Sequence, residues 1–162
     1  MVRVYAIDKA KQEQFRSRLD YKYRLIYEIG VATGLRVTDI VGMKKKILLT
    51  REPTIRERKT NKGNRIYIPK KLRAELMQYS AGHKEYIFES NSSKEGHVTR
   101  QAVWKHFKKV AKSLEIDVNV GTHTMRKTKV RNLAEKGKSY TYIKNKLNHS
   151  NLSETLLYML KP

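Results

Sequence analysis

Residues 54–69, TIRERKTNKGNRIYIP, decide the fold class. Ile66 and Ile68 alternate with Arg65 and Tyr67, a period of two that suits a half-buried strand and no helix. TNKG ahead of them carries turn chemistry and TIRERKT supplies a partner, so the spacing predicts an antiparallel hairpin turning at residues 61–63. A short apolar run at residues 46–50 is expected to complete a small three-stranded antiparallel sheet.

Outward from this stretch the chain reads as helix. Asp8 and Asp20 stand where N-caps belong, the second before Leu25, Ile26, Ile29 and Val31 and a stop at Gly34. Pro69 and Gly82 bracket a helix over 70–81. Thr99 can cap another, whose apolar face of Val103, Trp104, Phe107, Val110, Ala111 and Leu114 makes Trp104 a core residue. Helices are expected around 122–136, 139–147 and 153–160, the last opened by NLSE. Prolines occur only at 53, 69 and 162 and no Gly/Ser-rich linker interrupts the 162 residues, so the expectation is one mostly helical α+β domain.

Charge narrows the partner. Lys and Arg number 36 against 15 Asp and Glu, a net charge of +21, and basic residues spread over 44–73 and 94–146 rather than along one amphipathic helix. A nucleic-acid backbone matches such a field better than a membrane surface does, with a merely solvated lysine-rich surface as the alternative. The absence of cysteine removes disulfides and thiolate metal sites, and no apolar run approaches the ~20 residues of a membrane span.

Four segments carry residues that make chemical sense together: ATGLRVTDI with Arg36, ERKTNKGNRIYIP with Lys59, THTMRKTKV with His123 and Arg126, and LNHSNLSETLLYML with His149 and Tyr158. Guanidinium groups neutralise phosphate oxygens, a lysine can protonate a leaving alkoxide, histidines can shuttle protons, and a tyrosine can act as a nucleophile. The bland alternatives are an Arg36–Asp39 pair at i,i+3, a solvated hairpin tip for Lys59, capping or core histidines, and a core tyrosine at 158. His83, His97 and His106 have no partners at metal-ligand spacing and read as structural.

Together these segments resemble the catalytic domain of the tyrosine recombinases, the phage-type integrases. TGLRVTDI is similar to the family's first arginine box with its acidic residue at Asp39. KTNKG before an Ile-rich strand and Pro69 is similar to its lysine hairpin. His123-Thr-Met-Arg126 matches its H-x-x-R box, Leu147-Asn-His149-Ser its Leu-Gly-His-Ser, and Tyr158 lies nine residues after His149, at the nucleophile's position. The departures are Lys127 where many members have His, Asn148 for Gly in the turn that presents His149, and KKKI in place of Trp-x-Asp.

The resemblance implies a DNA breaking–rejoining fold and site-specific recombination through a 3′-phosphotyrosyl link, with neither ATP nor metal and no cofactor. Arg36 and Arg126 would hold the scissile phosphate, Tyr158 would attack it, His123 would take the tyrosine proton, Lys59 would protonate the 5′ oxygen, and His149 would hydrogen-bond the developing charge. Lys62, Arg65, Lys127 and Lys129 are expected as further DNA contacts. The implied partner is double-stranded DNA, held by a homotetramer on paired sites with DNA-bending accessory proteins, the isolated domain being monomeric. The location would be cytoplasmic, at the nucleoid of a prokaryotic host. Residues 1–162 are expected to form a single catalytic domain, with the N-terminal DNA-clamping domain absent from this chain. The competing classes are a non-catalytic basic DNA- or RNA-binding module and a type IB topoisomerase-like relaxing enzyme.

Overall fold

The Asp8 carboxylate accepts the Lys9 backbone N–H at 2.7 Å and opens α1 (Lys9–Arg18). The computed structural model describes residues 5–149 and 152–159, and in the second segment the side chains of Ser153, Thr155, Leu156 and Tyr158. α2 (Tyr21–Thr33) follows Asp20 and stops at Gly34, whose φ of 75° is the left-handed cap that favours glycine. Leu25, Ile26, Tyr27 and Ile29 line its buried face. Where α2 meets α6 (Thr124–Glu135), a Cβ on Gly30 would sit 2.3 Å from the Met125 sulfur, so glycine permits the close approach of the two helices.

Arg36 is the N-cap residue of α3 (Val37–Val41). The expected first strand is instead a 3₁₀ helix, Lys45–Leu49, which buries Leu48 and leaves Leu49 79% exposed. Its backbone bonds locally, as Ile47 N–H to Lys44 O at 3.2 Å shows. Extended pairing here comes from far along the chain, as an isolated bridge between Lys44 and Tyr86. The sheet among the described residues therefore has two strands rather than three, β1 (Thr54–Arg56) and β2 (Gly63–Arg65), antiparallel with Ile55 opposite Asn64.

The hairpin also turns earlier than predicted. Gly63 is already paired with Arg56, and the loop spans residues 57–62, closed by Glu57 N–H to Lys62 O at 3.0 Å and Asn61 N–H to Glu57 O at 2.8 Å. Ile66 and Ile68 are buried as their alternation predicts, although they lie just beyond the paired register.

α4 (Lys70–Tyr79) begins after Pro69 and ends at Ser80, whose hydroxyl returns to Leu76 O at 2.8 Å, before Gly82 is reached. In α5 (Arg100–Ser113) the Thr99 hydroxyl accepts the Ala102 N–H at 3.1 Å, as predicted. Trp104 is not in the core: it is 45% exposed, one step round the helix from the buried stripe of Val103, Phe107, Val110 and Ala111. Ser139 caps α7 (Tyr140–Lys146), and α8 is Leu152–Met159. The expected Asn151 cap lies outside the described residues.

Two apolar clusters result. The larger joins Ile7, Phe15, Leu25, Ile29, Ile40, Phe88, Phe107 and Met125 among others. The smaller joins Val130, Leu133, Ile143 and Leu147, with Ala134 and Tyr158 packed against it. Among the described residues no helix is long and apolar enough to cross a membrane.

Candidate active site

A cleft of about 280 Å³ is lined by Arg36, Val37, Thr38, Lys59, Arg100, Thr122, His123 and Arg126. Its lining carries four permanent cations, one histidine and no carboxylate, which suits a polyanion and nothing of opposite sign. Four residues expected from sequence, Arg36, Lys59, His123 and Arg126, therefore meet there, although they come from three separate stretches of chain.

Arg126 is 1% exposed and held as a fork. Its Nη1 donates to Gly34 O at 2.7 Å, its Nη2 to Leu147 O, and its Nε to His149 Nε2 at 3.3 Å. Because an arginine only donates, His149 Nε2 must accept, and the ring proton then sits on Nδ1, directed to Thr155 Oγ1 at 2.9 Å. These ring bonds of His149 thus reach α6 and α8.

His123 reaches solvent as the N-cap residue of α6, and its Nδ1 lies 3.1 Å from the Tyr158 hydroxyl. Burial of the inner face of the ring lowers the His123 pKa from its ordinary value, and the charges of Arg100, Arg126, Arg36 and Lys127 lower it further. These effects favour the neutral imidazole, the form that can accept a proton. The Tyr158 ring lies 5.0 Å from the His149 ring and has the Lys127 ammonium 5.3 Å from its centroid, an ammonium also 5.1 Å from the Tyr5 ring. The turn before α6 is fixed by the Thr124 hydroxyl, which accepts from Gly121 N–H at 3.0 Å and donates to Tyr5 O at 3.1 Å.

Arg36 is anchored differently. Its Nη1 contacts Oε2 of Glu57, a carboxylate with no exposed surface. Glu57 Oε1 accepts Asn64 Nδ2 at 2.8 Å and Asn148 Nδ2 at 3.0 Å. The i,i+3 pair with Asp39 does not form: Asp39 Oδ1 takes the Arg58 N–H at 2.9 Å. Burial, with the Glu57 charge beside it, raises the Asp39 pKa against the lowering effect of the Arg58 N–H. Asn148 has φ 50°, so the departure from glycine keeps the left-handed turn before His149, asparagine being tolerated there.

The remaining expected contacts separate. Lys62 and Arg65 are exposed on the hairpin, the latter paired with Glu52 at 2.7 Å. Lys129 is turned inward, its ammonium donating to Ala32 O at 2.8 Å at the C-terminal end of α2, and burial lowers its pKa. Among the described residues no three His, Asp or Glu gather at metal-binding spacing.

Sequence reasoning overlooked Arg100, Glu57 and Thr155. Arg100 directly follows the Thr99 cap and was masked by the apolar stripe of its own helix. Glu57 lies within the basic run RERK, where an acid reads as a solvated counter-charge.

A tyrosine beside a histidine, next to a cleft lined by two anchored arginines in this helical fold, is the arrangement that the resemblance to the tyrosine recombinases implied. The phage integrase family model matches residues 4–161, and the chain belongs to that family. The probable integrase/recombinase YoeC of Bacillus subtilis is 26% identical over 161 residues, spanning 98% of this chain and 82% of that protein. Tyrosine recombinase XerD of Lacticaseibacillus casei is 28% identical over 150 residues, spanning 86% of this chain and 50% of that one. This chain thus spans about half the length of the XerD relative. In fold it is similar to a crystal structure of XerA recombinase, with a TM-score of 0.80 at 18% identity over 99% of this chain and 60% of that one. A lambda integrase dimer bound to a COC′ core site matches with a TM-score of 0.74 at 21% identity, over 98% of this chain and 48% of that one.

Proposed function

We propose that residues 1–162 form the catalytic domain of a site-specific DNA recombinase that cuts and rejoins strands through a 3′-phosphotyrosyl intermediate. The single observation that carries this reading is the 3.1 Å contact between Tyr158 and His123 beside a cleft lined by Arg36, Lys59 and Arg126. The Tyr158 oxygen attacks the scissile phosphorus as its proton passes to His123 Nδ1. The arginines hold the non-bridging oxygens, the P–O5′ bond breaks, and Lys59 gives its proton to the departing 5′ oxygen. His149, with Nε2 turned to Arg126, steadies that guanidinium as charge develops. Rejoining is the reverse: a 5′-hydroxyl attacks the phosphotyrosine and the phenol leaves. The bond energy is retained in the covalent link, so no nucleotide is consumed.

Lys62, Arg65 and Lys127 would contribute phosphate contacts, together with Arg100 in the lining of the cleft. The lambda integrase structure holds core-site DNA, and double-stranded DNA is the proposed partner here. Strand exchange is proposed for the whole enzyme, as four protomers on paired sites with DNA-bending accessory proteins and further DNA-clamping parts, at the nucleoid of a prokaryotic host.

The test is a nicked suicide substrate that traps a detergent-resistant protein–DNA adduct. Tyr158→Phe is expected to abolish the adduct while DNA affinity stays within a few-fold. An adduct that persists, or maps to Tyr140 or Tyr142, overturns the assignment. Binding with no adduct from the unaltered chain would favour a non-catalytic module, and supercoil relaxation without any site preference a topoisomerase-like enzyme.

A further inference from the structure

One buried carboxylate connects Arg36 of the cleft to two other parts of the chain. Glu57 has no exposed surface, and each of its oxygens is engaged. Oε2 meets Arg36 from the turn between α2 and α3, and Oε1 receives Asn64 from β2 and Asn148 from the turn before His149. Glu57 stands two residues before Lys59, so whatever fixes Glu57 also fixes the start of the loop that carries Lys59. A buried carboxylate needs such donors to offset its desolvation, and they hold it in one place in return.

Asn148 is the informative member. A glycine would satisfy the backbone at φ 50°, so the side chain is not needed for the turn. What the side chain adds is a 3.0 Å bond to Glu57, 91 residues away in sequence.

Resting on the recombinase reading above, we infer that Glu57 is a positioning residue. It orients Arg36 and, through Asn148, locks the Lys59 loop to the turn bearing His149, so that the phosphate-holding and proton-donating ends of the cleft keep one spacing. Neither Glu57 nor Asn148 touches the DNA: both act through Arg36, Lys59 and His149.

Asn148→Gly tests this cleanly, because it keeps the left-handed backbone and removes only the amide. Single-turnover adduct formation is expected to slow about 10-fold, with DNA affinity and melting temperature little changed, since a displaced catalytic group loses rate before it loses binding. A substrate with sulfur at the 5′ bridging position needs little proton donation, and on it the variant should recover most of the lost rate. Asn148→Asp, which sets a second carboxylate against Glu57, should slow the oxygen substrate about 100-fold.

Asn148→Gly cleaving at the unaltered rate, or slowing equally on oxygen and sulfur, overturns the inference. Should the unaltered chain form no adduct at all, the recombinase reading fails. Positioning is then judged from the arginine side-chain nitrogen resonances. An Arg36 Nε–H signal that is sharp in the unaltered chain and broadened in Asn148→Gly supports the lock, and an unchanged signal overturns it.

Discussion

Two arginines reach the same cleft on opposite electrostatic principles. Arg126 donates to uncharged groups, the carbonyls of Gly34 and Leu147 and the Nε2 of His149. Arg36 is held by the buried anion Glu57, which cancels part of the guanidinium charge. The ion pair with Glu57 fixes the direction of Arg36. The acid- and amide-bearing side is also where Lys59 sits, the proposed proton donor, whose proton would have to arrive at a single oxygen.

The largest expected effect tests that division. Lys59→Ala should slow cleavage of ordinary DNA by about 10²–10⁴-fold and recover much of it on a 5′-bridging sulfur substrate. Lys62→Ala should lose mainly affinity, with no special gain from sulfur. Rescue of Lys62→Ala instead would move the proton donor to the tip of the loop.

Stability separates the two anchors next. Arg36→Met strands the Glu57 charge and should cost ~3–5 kcal/mol, read from urea denaturation. Adding Glu57→Gln removes that charge while leaving an acceptor for Asn64 and Asn148, and should return most of the loss. Arg126→Met leaves two buried carbonyls unpaired at ~1–3 kcal/mol each, and no second side-chain change can remove a carbonyl. A full rescue of Arg126→Met by any single partner substitution would erase the contrast.

The pH profile follows from the cations. A base must be neutral to accept the Tyr158 proton, so cleavage should hold at neutral pH and fall as pH drops through the lowered His123 pKa. Arg100→Gln removes the first of the charges lowering it, and the acid limb should move to higher pH. A limb that stays in place would remove either Arg100 or His123 from the account.

The smallest effect concerns Lys129, whose ammonium caps α2 rather than facing the cleft. Lys129→Met should cost ~0.3–1 kcal/mol and leave DNA affinity unchanged in a salt titration. Lys62→Ala should instead lower the slope of affinity against salt by about one unit.

The legible parts of this molecule were local. Helix caps at Asp8 and Thr99, the Gly34 stop and the alternation of Ile66 and Ile68 each depend on neighbours within a few residues, and each stands as expected. The arginine, histidine and tyrosine positions came from ordered boxes rather than from pattern. What the sequence hid depends on distance. The partner of Lys44 is Tyr86, the acid beneath Arg36 is Glu57, and the outward turn of Trp104 follows from which side of α5 meets the larger cluster. No spacing rule in a single chain reports a contact of that range.

The bonds that hold the cleft together run against the grain of a helical protein. Its helical hydrogen bonds close within four residues, yet Arg126 reaches back 92 residues to Gly34, and Asn148 reaches back 91 to Glu57. Such closures cost more loop entropy than a helix bond does and are expected to form after the local helices. A chain still emerging from the ribosome, or one whose α7–α8 end has come loose, would therefore hold Tyr158, the proposed nucleophile, away from Arg36 and Arg126. On the proposed reading, competence to cleave is acquired at the end of folding and is among the first things lost when the fold begins to open.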